Sequence, residues 1–318
     1  MVEEAEPRRK GHGESNIVII RAFLANLGIA VAKFVGAVIT GSAAMWSEGV
    51  HSLVDTTNQL LLYYGKKQAQ RPADRLHPLG YAREQYFWSF IVGLLIFGLG
   101  GGIALYQGIT HLQHPEPSES PAIALAILAV ALVLEAWSLS AALREFNAGR
   151  GKLGFWAGIK ASRDTETISV LLEDIAAVTG LVLAGAGILL EMATGDAKWD
   201  AIASILIGCV LVAVAFILLV KAKHLLIGQT ADAVQVKQIW RIAAAQKGVE
   251  RVREVIAIQL AVDKIMGIVD IDFDDDLPVE EAAALFRDIR RQVHGQIPEV
   301  VRLFIAAGDS HLAKVDME

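Results

Sequence analysis

A histidine and an aspartate stand four residues apart, at His51 and Asp55. In a helix these two side chains lie one turn apart on the same face, and Glu48 lies a further turn back at the i−3 position. An imidazole and a carboxylate at this spacing can share one metal ion. They suit Zn²⁺, whose tetrahedral sites need about four ligands, so a second element must contribute. The alternative is a hydrated, inert cluster at a helix end.

Two adjacent carboxylates, Glu173 and Asp174, lie inside a later apolar run, TISVLLEDIAAVTGLVLAGAG. Consecutive side chains are about 100° apart around a helix, so both can point inward only if the helix lies near the axis of a bundle. Packing does not explain this pair, which makes it the candidate source of the missing ligands. The alternative for one of the two acids is an ion pair with Lys33. Glu135 is a further candidate, either as a proton relay or, as we favour, as the partner of Lys33.

The elements that must position these residues are membrane helices. The 318-residue chain is 54% hydrophobic, and its apolar residues occur in blocks of about twenty, the length that crosses a bilayer. We predict six membrane helices. The second, which carries His51 and Asp55, is the weakest by hydropathy, and the third contains three consecutive glycines that allow close helix contact. The predicted helices span residues 17–39, 46–66, 84–111, 122–145, 167–191 and 199–226.

The charges of the connecting segments predict the orientation. The segments 66–83 and 144–163 carry five basic residues each, whereas 40–45 and 112–121 carry none. With six spans all the basic segments lie on one side, so the positive-inside rule places both termini in the cytoplasm. A five-helix interpretation would scatter the basic residues over both sides. We expect the lipid bilayer, not nucleic acid, to be the partner of these clusters.

The composition changes to that of a soluble domain near residue 233. The pattern predicts helices at 233–247 and 278–295 and strands at 253–262, 265–273 and 300–306. This αββαβ order is typical of a small α+β, ferredoxin-like domain with its helices on one face of a sheet. The predicted domains are a cytoplasmic tail (1–16), a membrane domain (17–228) and a cytoplasmic C-terminal domain (229–318).

Two further features limit the possible functions. The single cysteine, Cys209, lies in an apolar block and excludes a disulfide framework and a multi-cysteine zinc cluster. The N-terminal tail lacks the small-residue cleavage site of a secretory signal, so we expect the first apolar block to remain in the mature protein. In the C-terminal domain, Asp270, Asp272 and Asp274 alternate along a predicted strand, so their side chains lie on one face of it. For this face we favour a solvated sheet surface over a regulatory metal site.

The chain resembles the cation diffusion facilitators over nearly its whole length. The resemblance rests on Asn26 and Lys33 in the first helix, GSAAMWSEGVHSLVDTTNQ entering the second, HPLGYAREQYFW leading into the third, the acid-bearing fifth helix and the αββαβ tail. It implies a homodimer with six membrane helices per subunit that moves a divalent cation out of the cytoplasm in exchange for protons.

The resemblance also implies a transport site with two ligands from the second helix and two from the fifth. His51, Asp55 and Asp174 match three of those positions, and the fourth is occupied by Val170. Glu173 or a water molecule is the expected substitute. This arrangement is similar to the branch of the family whose fifth helix carries Glu-Asp.

The sequence therefore predicts a transporter that exports a divalent metal in exchange for protons, with Zn²⁺ as the leading cargo, and not an enzyme. Co²⁺, Fe²⁺ and Mn²⁺ follow Zn²⁺ as cargo because acidic oxygen ligands tolerate harder ions, and no permanently bound cofactor is expected. The alternatives are a metal sensor and an intramembrane metalloenzyme that uses the same cluster. The expected location is the bacterial inner membrane.

Overall fold

The computed structural model describes residues 12–115, 117, 120–274 and 277–307, with side chains described from residue 26 to residue 306 within those ranges. These residues form two compact units. The first contains most of the long helices and comprises 12–64, 88–152 and 165–220; the second comprises 65–87, 153–164 and 221–307.

The helices before residue 228 follow the predicted order, with one addition. They are α1 (His12–Thr40), α2 (Ala43–Ala69), α3 (Glu84–Gln113), α4 (Pro121–Arg150), α5 (Phe155–Ala161), α6 (Thr165–Thr194) and α7 (Lys198–Ile227). The short α5 was not predicted. Helix α3 contains a π-helical stretch at Ile96–Gly102, which includes the three predicted contact glycines.

Four of these helices, α3, α4, α6 and α7, are long and apolar enough to cross a membrane. The predicted fold class is confirmed: a helical membrane domain precedes a small domain with a three-stranded sheet. The count of six spans stays a prediction, because the described apolar part of α1 is the shorter segment Asn26–Thr40. Helix α2 has 27 residues, and a helix of that length extends about 40 Å, which exceeds the hydrocarbon thickness.

Helix α2 is polar on the face that it buries. Glu48 and Asn58 are 0% exposed and His51 is 1% exposed, whereas Leu53 and Leu60 are each 44% exposed. This is the reverse of the pattern in a surface helix of a soluble protein. It explains the weak hydropathy of α2, since its polar residues face the bundle and its apolar residues face outward.

The start of α2 is fixed by an aspartate from α7. Asp200 Oδ2 accepts hydrogen bonds from the backbone N–H groups of Ala43, at 2.6 Å, and Ala44, at 3.3 Å. Its Oδ1 accepts from Ser42 Oγ at 2.6 Å, and Ser42 Oγ in turn accepts from Met45 N at 3.1 Å. Ser42 and Asp200 together satisfy the N–H groups that the first turn of a helix leaves unpaired.

Replacing Asp200 by alanine is expected to lower the free energy of unfolding by about 2–3 kcal/mol, because a buried charged cap is lost. Asp200→Asn keeps one acceptor oxygen, so its free energy of unfolding should fall by less than that of Asp200→Ala. The measurement is denaturant unfolding of the purified protein in detergent micelles. Equal stability of wild type and Asp200→Ala would show that the α2 cap contributes nothing.

A glycine of α3 allows a close approach to α7. A Cβ at Gly101 would meet Val212 Cγ2 at 2.7 Å and the backbone oxygen of Gly208 at 3.3 Å. Only a residue without a side chain allows this approach. The close contact of small residues expected for membrane helices is therefore confirmed at this glycine.

The second unit contains the sheet. Strands β1 (Val249–Ala261) and β2 (Lys264–Phe273) form an antiparallel pair, and β3 (Val300–Ala307) runs parallel to β2 on its other side. Helices α8 (Ala233–Ala244) and α9 (Val279–Gln296) pack their apolar faces on this sheet, with Ile239, Ile289 and Val293 fully buried. The predicted αββαβ order is confirmed, and β1 starts four residues earlier than predicted.

Two basic residues hold the segment around α5 in the second unit. Lys221 Nζ donates to the backbone oxygens of Ile159 and Ser162, both at 2.6 Å, at the carboxyl end of α5. Arg163 Nε donates to Thr230 O at 3.0 Å, just before α8. A cation is favourable where a helix leaves its last carbonyl groups unpaired. The boundary predicted at 228/229 stays a prediction.

Candidate metal centre

The α2 half of the candidate centre consists of His51 and Asp55. Their helix places them on one face, and His51 Nδ1 lies 3.4 Å from Asp55 Oδ1. The His51 side chain is 1% exposed and that of Asp55 is 17% exposed. The predicted pair is therefore adjacent and almost completely removed from solvent.

The α6 half consists of Glu173 and Asp174, which point in different directions, as their spacing requires. Glu173 is 5% exposed and lies within interaction distance of Asn58 on α2. Asp174 is partly buried, and its Oδ2 accepts a hydrogen bond from Ser138 Oγ of α4 at 2.9 Å. Glu173 thus faces α2, whereas Asp174 faces α4.

The two halves lie in one region of the bundle but do not converge on one point. Asp55 is within electrostatic range of Glu173 and Asp174. Among the described residues, however, no three His, Cys, Asp or Glu side chains are close enough to hold one metal ion. Binding by this set would therefore require a change in the arrangement of α2 and α6.

Several polar atoms of this region are buried without a hydrogen-bond partner among the described residues. They are both ring nitrogens of His51, Asp55 Oδ1, Glu173 Oε1 and Asn58 Oδ1. A buried polar atom without a partner typically costs about 1–3 kcal/mol, so native proteins have few of them. Imidazole nitrogen with carboxylate and amide oxygens is a donor set that suits divalent transition metals. The chemistry of these atoms therefore fits a metal ion.

Lys33 pairs with a different acid from those predicted. Its Nζ lies 2.9 Å from Glu48 Oε2 and donates to Ser52 Oγ at 2.7 Å, and Lys33 and Glu48 are both 0% exposed. The predicted ion pair of Lys33 with Glu135, and the alternative with Glu173 or Asp174, were wrong. Glu48 is one turn from His51, so the Lys33–Glu48 pair places a compensated charge beside the candidate ligands His51 and Asp55.

A glycine of α6 makes room for this ion pair. A Cβ at position 180 would overlap Glu48 Oε1. The absence of a side chain at Gly180 therefore lets the carboxylate lie against α6 while its other oxygen holds Lys33. The same helix offers a matched position at Gly185, where a Cβ would meet nothing within 4 Å.

Gly180→Ala is expected to lower the free energy of unfolding by about 1–3 kcal/mol, the usual cost of overpacking. Gly185→Ala should be neutral or slightly stabilising, because alanine favours helix more than glycine does. Thermal unfolding of both variants in detergent, followed by circular dichroism, makes the comparison. If both substitutions have the same effect, the fit of Glu48 against Gly180 is not important.

Asn58 lies in the same buried region, and the sequence analysis did not select it as a candidate ligand. It follows His51 and Asp55 at i+7 and i+3, and is 0% exposed. Positions i, i+4 and i+7 share one face of a helix, so the spacing could have identified it. The predicted ligands were all ionisable side chains, and the asparagine amide is not ionisable.

The aspartates of β2 are partly explained by pairing. Arg253 donates to Asp272, and this hydrogen bond holds the pKa of Asp272 below its usual value. Asp270 is 4% exposed, so the expectation of a solvated sheet face was wrong for this residue.

The loop between α2 and α3 is ordered by another aspartate. Asp74 accepts hydrogen bonds from Tyr81 OH, at 2.6 Å, and from His77 N, at 2.7 Å, which lower its pKa to about 2. The loop carboxylate is therefore ionised at any physiological pH. His77 Nδ1 lies 3.4 Å from Asp74, and the ring packs on Tyr81, which favours a structural role in the turn.

Comparison with known proteins agrees with this architecture. Residues 19–227 match the family described as cation efflux transmembrane domain, and residues 231–305 match the cation efflux protein, cytoplasmic domain. The first match alone covers more than half of the chain.

Related proteins carry consistent names. The chain is 37% identical over 264 residues to the proton-coupled zinc antiporter SLC30A9, mitochondrial, of Xenopus laevis, which covers 82% of this chain and 47% of the relative. The human protein of the same name is 35% identical over 244 residues, covering 76% and 43%. Metal tolerance protein C4 of Arabidopsis thaliana is 29% identical over 264 residues, covering 78% and 57%.

The chain thus spans about half the length of these relatives. The matched segments include both the helical membrane domain with the candidate centre and the domain with the three-stranded sheet. The chain is an integral, multi-pass membrane protein and belongs to the cation efflux family, the cation diffusion facilitators.

Proposed function

We propose that this protein exports a divalent transition metal, with Zn²⁺ as the leading cargo, in exchange for protons. The observation that carries the proposal is the buried His51–Asp55 pair, whose ring nitrogens have no hydrogen-bond partner among the described residues. The carboxylates of Glu173 and Asp174 lie in the same region of the bundle. Membership of the cation efflux family and the names of the zinc antiporter relatives support the same function.

The proposed site combines His51, Asp55, Asp174 and Glu173. His51 must be neutral to bind a metal ion, and the carboxylates must be ionised, so metal binding displaces protons and protonation favours release. Because the described side chains do not converge on one point, α2 and α6 must approach each other when the metal binds. Alternation between the two arrangements, exposed to opposite sides, would couple metal and proton movement.

The proposal also includes an orientation in the membrane and an assembly. Both termini lie in the cytoplasm, six helices cross the membrane, and the protein forms a homodimer, as the match of the C-terminal domain to the dimerisation domain of the family supports. The bacterial inner membrane is the proposed location. Co²⁺, Fe²⁺ and Mn²⁺ are secondary cargo candidates, because carboxylates accept harder ions than imidazole does.

The test is zinc flux in proteoliposomes that contain the purified protein. A zinc-sensitive dye inside the vesicles and an internal pH dye report both ions. We expect Zn²⁺ entry to accelerate when the vesicle interior is acidic, with an accompanying loss of internal protons. Zinc entry that ignores the pH gradient would contradict exchange. Turnover of a peptide or lipid without ion flux would favour a metalloenzyme, and metal-dependent movement of the C-terminal domain without transport would favour a sensor.

A further inference from the structure

We propose that the side-chain carbonyl oxygen of Asn58 is an additional ligand of the transported metal. This inference rests on the proposed transport function and assigns a residue to it that neither the family resemblance nor the charge pattern selects. It adds a donor on α2 to the proposed set of His51, Asp55, Asp174 and Glu173.

The position of Asn58 is the first support. Asn58 lies on α2 one turn beyond Asp55, and the spacing of His51, Asp55 and Asn58 puts all three on one face of the helix. Its side chain is completely buried. The adjacent amide side chain, Gln59, is exposed. The helix therefore turns one amide toward the bundle and its neighbour away from it.

The hydrogen bonding of Asn58 is the second support. The Nδ2 end of the amide interacts with the carboxylate of Glu173, whereas Oδ1 has no hydrogen-bond partner among the described residues. A buried asparagine amide normally uses its donors and its acceptor, and leaving them unused costs free energy. The contact with Glu173 accounts for the Nδ2 end of the amide but leaves the buried Oδ1 acceptor unused. A metal ligand needs the carbonyl oxygen.

The surroundings of Asn58 are the third support. The side chain lies within interaction distance of Glu173 on α6. His51, Asp55, Asn58 and one carboxylate from α6 make four donors, the number that a tetrahedral zinc site uses. Three of the four are on α2, and the two α6 carboxylates of the proposed site, Asp174 and Glu173, are the groups from which the fourth comes. A donor on α2 therefore explains how four ligands are available although α6 carries Val170 at one ligand position.

The proposed ligand set has a consequence for metal choice. It contains one imidazole nitrogen and three oxygens, of which the Asn58 oxygen is neutral. Oxygen-rich sets accept harder ions such as Mn²⁺, whereas imidazole favours Zn²⁺. Asn58 therefore widens the range of metals, and a histidine in its place should narrow it toward Zn²⁺.

The experiment measures metal binding by the full-length protein in detergent micelles, by competition with a zinc-chelating dye. Asn58→Ala is expected to weaken Zn²⁺ binding by about 10- to 100-fold, at least the loss that follows removal of a supporting group at a metal site. Asn58→Asp keeps an oxygen ligand and should therefore bind Zn²⁺ at least tenfold more tightly than Asn58→Ala does. Gln59→Ala is the matched control and should bind like wild type.

Metal selectivity separates a ligand from a structural residue. Asn58→His should raise the ratio of Zn²⁺ to Mn²⁺ affinity by about tenfold or more, since imidazole replaces an amide oxygen. A residue that only stabilises the helix would change both affinities together. Wild-type affinity in Asn58→Ala, or an unchanged metal ratio in Asn58→His, would overturn the assignment while wild-type zinc flux still upholds transport. Absence of zinc flux in the wild type would instead contradict the proposed function.

Discussion

His51→Ala should abolish zinc transport in proteoliposomes, with the initial rate falling by about 100-fold or more. His51 supplies the nitrogen donor of the proposed site, and it is almost completely buried beside Asp55. Removing even a group that supports a metal ligand costs 10- to 100-fold, so removing the ligand itself should cost at least the upper value. Asp174→Ala should reduce the rate comparably, because α6 must supply the opposite side of the site.

The control for this prediction is His114→Ala. His114 is exposed at the end of α3 and far along the chain from α2. Its removal changes the histidine content equally but should leave the rate unchanged. Each variant is also tested for wild-type unfolding behaviour in detergent, which separates a lost ligand from a lost fold. Unchanged zinc flux in both His51→Ala and Asp174→Ala would exclude this cluster as the transport site.

The effect of pH on the same variants provides a second measurement. If protons compete with the metal at His51 and the carboxylates, wild-type zinc affinity should rise with pH as these groups lose their protons. In Asp55→Asn one competing proton site is absent, so the residual affinity should depend less steeply on pH. The same pH dependence in wild type and Asp55→Asn would place the competing protons elsewhere.

The sequence was sufficient to predict the elements whose patterns are local. The apolar blocks predicted the long helices, and the alternating and helical patterns predicted both helices and all three strands of the C-terminal domain. The polar α2 could be identified only from the charges of the loops on either side. The mean hydropathy of α2 is low because the helix carries polar residues, and its burial pattern shows that Glu48 and Asn58 among them face inward.

Contacts between helices were beyond the reach of the sequence. The partner of Lys33 depends on how α1 and α2 face each other, and no spacing along the chain distinguishes Glu48 from Glu135. The role of Asp200 as a cap for α2 joins residues 157 positions apart. Helix α5 was missed because seven residues between basic segments give too short a periodic pattern.

Lys33→Met is expected to be the most destabilising of the substitutions considered, lowering the free energy of unfolding by about 3–5 kcal/mol. Lys33 and Glu48 are completely buried and 2.9 Å apart. Removing the ammonium group leaves the Glu48 carboxylate buried without its cation, and the loss of one partner from a buried pair typically has this cost. Unfolding of the purified protein by a denaturing detergent, followed by circular dichroism, gives the measurement.

The double variant Lys33→Met with Glu48→Gln distinguishes a buried charge from a simple loss of packing. It removes both charges, so no uncompensated ion remains, and about 2 kcal/mol or more of the loss should be recovered. An exposed ion pair provides the contrast: Asp288 and Arg291 of α9 are 2.7 Å apart, with side chains 47% and 77% exposed. Asp288→Asn should cost less than about 1 kcal/mol, because solvent screens an exposed pair.

The recovery in the double variant decides what the pair does for the metal centre. If Lys33 and Glu48 only compensate each other's charge, the double variant should be more stable than Lys33→Met. It should also still bind Zn²⁺ through His51 and Asp55. If stability returns but Zn²⁺ binding does not, the field of Lys33, which acts on both His51 and Asp55, is needed to set the affinity of the site. A double variant no more stable than Lys33→Met would show that the buried charge is not the cause, since neutralising Glu48 would then have removed nothing unfavourable.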